Sequence, residues 1–282
     1  MKGILKTGWS LACKHPGLVL LGYLYSFVWG FFLYKYWHAI VASLLVRYPG
    51  ESLSHVDTRL FWLEFHFQLT KTDLIMPYVW TFCIVLLLRM LVTPLIHAGV
   101  YYTFYQTGQV MHSRAHVQAR EKRVFLTGVN RYGKIFSMYY LLRIILSIAP
   151  LYFLYPHWMQ KLEGQADWSS YFQEIGLSLS LYILYVLSLS VLFMYNQLRL
   201  LSGIRLLQGG VMLIQLLHRL LPLSLILLTA MIFIWGASHF ISWVMAGFMA
   251  LILYQCFHLV RVLFRFWEIG SHYSLWIQKI EK

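Results

Sequence analysis

Apolar residues in this chain do not alternate with polar ones but run together in blocks, separated by short clusters of charge and aromatic rings. Six blocks, 18–36, 77–97, 136–155, 175–198, 220–235 and 240–260, predict helices that cross a bilayer, because a hydrocarbon core of about 30 Å takes about 20 apolar residues. Two other stretches carry a helical period of 3.6 instead. Near the start, Ile4, Leu5, Gly8, Trp9, Leu11 and Ala12 share one face of a wheel, with Lys6, Thr7, Ser10 and Lys14 opposite. That pattern predicts an amphipathic helix on the inner leaflet, ended by His15, Pro16 and Gly17. After a turn at Pro49 and Gly50 and a cap at Ser54 and Asp57, Val56, Leu60, Leu63 and Phe67 predict a second one on the outer surface. Its rings, Phe61, Trp62, Phe65 and Phe67, read either as a membrane-facing surface or as the rim of a ligand mouth. The fold class is all-α: a polytopic transmembrane helical bundle with six spans plus interfacial amphipathic helices, forming a single integral membrane domain over 1–282.

Charge fixes the sides. The segment 106–134, between the second and third spans, holds Arg114, Arg120, Lys122, Arg123, Arg131 and Lys134 against one acid, Glu121, which places it in the cytoplasm. Counting outward, the inner segments hold 16 of the 23 Lys and Arg residues, and the outer ones hold Arg47, Arg59, Lys71 and Lys161. Seven of the ten acids fall outside. Both termini are therefore expected in the cytoplasm. A second inner loop is marked by Arg199, Arg205 and Arg219 and interrupted by Gly203, Gly209 and Gly210. Residues 157–174 are expected to form an outer loop, and Gly236 to His239 a tight outer turn. Pro94 and Pro150 predict kinks. In the fourth span Gly176, Ser178, Ser180, Ser188 and Ser190 allow close helix approach. In the tail Tyr273, Trp276, Ile277 and Ile280 repeat as one helical face.

Composition agrees with insertion: the chain is 60% hydrophobic and 12% charged, too few polar residues to cover a water-facing surface. The net charge of +13 is distributed by membrane side, so no nucleic acid partner is expected. Lys2, Lys6 and Lys14 ahead of an apolar run suggest a signal peptide. The run is too long for one and lacks a small-residue cleavage site, so an uncleaved span is expected. Lys35, among Tyr34, Tyr36 and Trp37, reads as a snorkelling anchor. Cys13, Cys83 and Cys256 form no disulfide or metal spacing, and His38, His97, His239 and His258 read as interfacial polar groups.

The chemistry turns on an absence: none of the six predicted spans contains Asp or Glu. Intramembrane hydrolysis needs carboxylates or metal ligands, and proton-coupled transport usually relays through Asp or Glu. HExxH, GxSxG and phosphate-cradling GxxxxGK[ST] patterns are missing too. No catalytic residue, metal or cofactor is expected. Arg89 and Arg143 remain, on antiparallel spans, each roughly 10 to 12 Å inside the inner boundary at about 1.5 Å per residue. Two readings stand. In one they form a two-arginine ligand-binding site for an anionic lipid headgroup or small anion. In the other each is held locally, Arg89 by carbonyls loosened by Pro94 and Arg143 by snorkelling or by tyrosine hydroxyls such as those of Tyr139 or Tyr140.

The stretch WSLACKHPGLVLLGYL, then PLIHAGVYYTFYQTG and FLTGVNRYGKIFSMYYLL, resembles uncharacterised six-helix membrane proteins of Gram-positive bacteria. The same stretches are distantly similar to the membrane domain fused to some glycerophosphodiester phosphodiesterases. The resemblance covers about half the chain and implies a bacterial plasma-membrane location; it carries over no catalytic residue. The function expected is a non-enzymatic transport or envelope component that engages membrane lipids through anionic headgroups, or a small anion. The alternatives are a lipid-modifying membrane enzyme without a recognised motif and a scaffold for a protein partner in the membrane.

Overall fold

The computed structural model describes residues 2–45, 76–113, 121–164, 168–244 and 248–280, and among these it contains helices and turns without a strand. The helices are α1 (Lys2–Lys14), α2 (Pro16–Leu45), α3 (Met76–Ser113), α4 (Glu121–Gly164), α5 (Trp168–Leu201), α6 (Leu206–Val244) and α7 (Phe248–Ile280). Five of them carry apolar stretches long enough to span: Pro16–Tyr36, Trp80–Gln109, Arg123–Gln160, Ile175–Leu201 and Leu207–Phe240. Along these stretches large apolar side chains point away from the protein, Tyr152 at 79% and Phe233 at 77% exposure among them. So much contiguous apolar surface needs lipid against it. The protein is an α-helical membrane protein.

The helices overrun the boundaries that hydropathy sets. The basic segment 106–134 is helical on both sides of residues 114–120, which lie outside the described residues. The outer loop at 157–174 shrinks likewise, since α4 runs to Gly164 and α5 starts at Trp168. The turn expected at Gly236 to His239 is not there, because α6 continues through it to Val244. A glycine inside a helix costs only about 1 kcal/mol, too little for Gly236 to end one. The block 240–260 consequently divides between the end of α6 and the start of α7. In the second inner loop only residues 202–205 leave the helix, around Gly203 at φ +69°. Gly209 is helical and packed: a Cβ there would sit 2.2 Å from Cδ of Arg199. The outer amphipathic pattern at 54–68 and its aromatic cluster lie outside the described residues.

Proline inside a span is met by a tyrosine. Pro150 has no N–H, so the carbonyl of Leu146 loses its helical donor. The Tyr185 hydroxyl donates to that oxygen at 3.0 Å, and Tyr182 donates to Ser147 O at 3.1 Å. Trp158 Nε1 donates to Ser178 Oγ at 2.9 Å farther along the same pair. The pairs run antiparallel and tie α4 to α5.

The described chain divides into two compact units, Met1–Val19 with Pro94–Lys282, and Leu20–Thr93. In the larger unit α7 is the hub. It was expected to present one apolar face, yet every residue from 269 to 277 is buried. The face of α1 expected to lie on the bilayer packs against α7 instead, burying Ile4, Gly8, Leu11 and Ala12. The reason is a backbone-to-backbone fit. A Cβ on Gly8 would meet Ser271 Oγ at 2.3 Å, and one on Gly270 would meet Gly8 O at 2.8 Å. Trp267 Nε1 donates to Leu5 O at 2.9 Å, and Trp9 stands edge-on to Trp267 at 5.4 Å. Gly8→Leu should therefore push α1 off α7 and cost about 1–3 kcal/mol or more. Thermal melts of the purified protein in detergent should show a lower midpoint for Gly8→Leu and little change for Gly3→Leu, whose Cβ meets open space.

Candidate functional site

Three helices of the larger unit deliver charge and hydroxyl groups to one place. On α3, His97 and Tyr101 are four residues apart and therefore share a face, with ring centroids 6.3 Å apart. Tyr101 is buried and stands edge-on to Phe136 of α4 at 5.8 Å. One and two turns beyond Phe136, α4 carries Tyr140 and Arg143, which act electrostatically on each other. From α7 come Arg265 and Glu268, three residues apart on one face. The two guanidinium groups, Arg143 and Arg265, act on each other and both act on His97 and Tyr101. Glu268 acts on Tyr101 and on Arg265. Arg143 is half-buried, whereas Arg265 keeps an exposed side, so the cluster opens to the surroundings through Arg265.

Two cations against one carboxylate is an arrangement short of negative charge. Glu268 is the acidic group whose charge acts on the cluster. Burial pushes its carboxyl above the ordinary carboxylate range, and the Arg265 guanidinium opposes that rise. An oxyanion reaching either guanidinium would take hydrogen bonds from its planar fork and supply negative charge.

Of the two arginines singled out from sequence, Arg143 lies in this cluster. Arg89 belongs to the smaller unit, where its side chain is exposed on α3. There Thr93 Oγ1 donates to Arg89 O at 2.6 Å, and the Tyr25 hydroxyl is hydrogen-bonded to the same Thr93 oxygen. Sequence reading missed Arg265, Glu268 and Tyr101. The i, i+3 spacing of Arg265 and Glu268 and the i, i+4 spacing of His97 and Tyr101 were available signals. Nothing in the sequence, however, brought those two faces together.

A third arginine is more deeply held. Arg199, expected as a surface mark of an inner loop, is 8% exposed. It donates through Nη1 to Ile204 O at 3.3 Å and through Nη2 to Tyr139 at 3.2 Å, closing the 202–205 turn against α4. Lysine could not hold both acceptors in one plane. Beside α1, α6 and α7 an apolar groove of about 680 Å³ is lined by Trp9, Phe233, Phe264 and Trp267 among others, and it carries no charged group to orient a ligand. Among the described residues no three His, Cys, Asp or Glu side chains stand where they could hold a metal ion.

His272 is fully buried in the hub, its Nδ1 hydrogen-bonded to the Tyr195 hydroxyl at 3.1 Å. Burial holds it down at about 4, from an ordinary 6.5, so the folded protein keeps it neutral. The unfolded chain takes up a proton below 6.5, and stability is therefore lost as pH falls from 6.5 toward 4. A shift of this size is worth about 3 kcal/mol in all. Melting midpoints should fall across that window in the wild type, and the fall should flatten in His272→Gln, which keeps a partner for Tyr195 without titrating. The chain matches no family model, no curated protein and no solved structure.

Proposed function

We propose that this is a non-enzymatic protein of the bacterial plasma membrane, a transport or envelope component that holds an oxyanion at the cytoplasmic ends of its helices. The oxyanion is an anionic lipid headgroup or a small free anion. One observation carries the reading: the charges of Arg143 and Arg265, on different helices, both act on His97 and Tyr101, and Glu268 acts on Tyr101 with them. Bringing two guanidinium groups together in a membrane protein is costly unless an anion is there to meet them. The bacterial location rests on the resemblance of the stretches around His15 and His97 to membrane proteins of Gram-positive bacteria.

The topology proposed with it has six spans and both termini in the cytoplasm. Its support is the excess of Lys and Arg on one side of the apolar blocks, with the first part of α7 completing the sixth crossing. Reporters placed after Ala115, Gly203 and Lys282 should read cytoplasm, and those after Ser54, Gly164 and Ala246 should read outside. The reverse pattern would put the arginine cluster on the wrong face for a cytoplasmic ligand.

Binding tests the site itself. Purified wild type should bind phosphatidylglycerol in nanodiscs or sulfate in solution, and Arg143→Ala and Arg265→Ala should each weaken this by about tenfold to a hundredfold. Lysine at either position should rescue poorly, because an ammonium cannot make the same planar contact. The double variant should lose little more than either single one, since each already breaks a shared site. Arg89→Ala alongside measures whether that residue has a share in the same binding. Undiminished binding by both Arg143→Ala and Arg265→Ala would end the proposal.

A further inference from the structure

The apolar groove of the larger unit lies between α6 and α7 and is bordered by Trp9 of α1. Its α6 wall, Leu225 to Ile234, falls within the apolar stretch Leu207–Phe240 and is about 14 Å long at about 1.5 Å per residue. The groove therefore opens to hydrocarbon. Two polar groups in its wall are already spent, since the Thr229 hydroxyl donates to Leu225 O at 2.9 Å and Trp267 Nε1 donates to Leu5 O at 2.9 Å. An occupant that needs hydrogen bonds would give up more than it gains there. A hydrocarbon chain needs none.

Volume narrows the choice further. At about 680 Å³ the groove is within the range of small-molecule sites, about 300–1,000 Å³. A helix about 10 Å across would fill roughly 1,100 Å³ over the same length, more than the groove holds. The space suits one flexible chain.

Orientation comes from outside the wall, because the cations lie at one end of the groove. Trp9 stands at the edge of the apolar face of α1, and Lys6 and Lys2 lie three and seven residues before it on one stripe, all of them exposed. On α6, Arg219 is exposed seven residues before Ile226, in line with the groove wall. Beyond the other end, residues 235–244 of α6 and 248–259 of α7 carry no charged side chain. A wall of apolar groups with an indole and basic residues at one end has the polarity of a phospholipid with an anionic headgroup. We propose that the groove holds an acyl chain of one anionic phospholipid, with its phosphate beside Lys2, Lys6 and Arg219. Seated there, the lipid touches α1, α6 and α7 together and joins α1 to the other two. This site shares no residue with the arginine cluster and does not rest on it.

The experiment counts lipids kept by the full-length protein, purified in detergent and offered equal amounts of phosphatidylglycerol and phosphatidylcholine, by native mass spectrometry. Wild type should keep one phosphatidylglycerol, preferred by about tenfold to a hundredfold over phosphatidylcholine. Ala230→Trp, which adds a ring inside the groove, should lower retention by about tenfold or more. Leu177→Trp, the same kind of addition on an exposed part of α5, should not lower it. Added phosphatidylglycerol should raise the melting midpoint of wild type and leave that of Ala230→Trp where it is. Lys2→Gln, Lys6→Gln and Arg219→Gln combined should bind the two lipids alike. This charge variant alters exposed residues alone, and it answers the same question should tryptophan at position 230 disturb the helix pair. Retention unchanged in Ala230→Trp, or a preference that survives loss of the three cations, overturns the proposal. So does a dimer that Ala230→Trp dissociates with no lipid retained, which would make the groove an interface between copies. Retention lost in Arg143→Ala and Arg265→Ala but kept in Ala230→Trp would place the lipid at the arginine cluster, overturning the groove site while supporting the function proposed above.

Discussion

The contact of Gly8 with Gly270 and Ser271 is the constraint from which the larger unit follows. Where two helix backbones meet without side chains between them, dispersion contacts are dense and any added methyl group must displace backbone. That approach docks α1 along α7, and with α1 in place residues 269–277 of α7 have no exposed face left. The remaining neighbours close around it in kind. Tyr273 donates to Tyr105 O at 3.1 Å while its ring fills the space at Gly108. Trp276 Nε1 donates to Ser202 Oγ at 3.0 Å, and Tyr195 stands edge-on to both His272 and Trp276.

Where α7 is buried on all sides, over residues 269–277, its polar groups Ser271, His272 and Ser274 lie inside the protein. Arg265 and Glu268 sit just before the fully buried stretch, which fixes their height and rotation relative to Tyr101 and Arg143. The electrostatics of the cluster are thus a by-product of packing several residues away. The same packing leaves Nε2 of His272 and Oγ of Ser271 buried without a hydrogen-bond partner. Their desolvation is a cost that the surrounding apolar burial offsets.

Elsewhere the bilayer sets the rules. Backbone groups freed by Pro150 find tyrosine hydroxyls from the next helix, because water is not at hand to meet them. The Arg123–Gln160 stretch of 38 residues is about 57 Å long, well beyond the hydrocarbon thickness. The polar ends of the long helices therefore extend past the core and can pack with one another outside it. Arg199 and its two acceptors belong to this layer, where a guanidinium is needed to join a turn to a neighbouring helix.

The sequence by itself determined the solvent. Runs of about twenty apolar residues with few charges admit no other environment than lipid, and that conclusion needs only hydrophobicity and length. It also determined that α1 is amphipathic and where that helix ends, since His15, Pro16 and Gly17 act locally. It set the helix limits poorly, because hydropathy marks where apolar residues stop and says nothing about where backbone hydrogen bonds stop. Gly236 to His239 shows this: glycine and serine lower helix propensity, but by too little to end α6 there. Only the tertiary structure decided which surface receives the apolar face of α1, that residues 269–277 of α7 are all buried, and that the charges of Arg143, Arg265 and Glu268 all act on Tyr101. These relations join residues from 74 to 262 positions apart. Periodicity along one helix records which face is apolar or charged, but it holds no information about which other face it will meet.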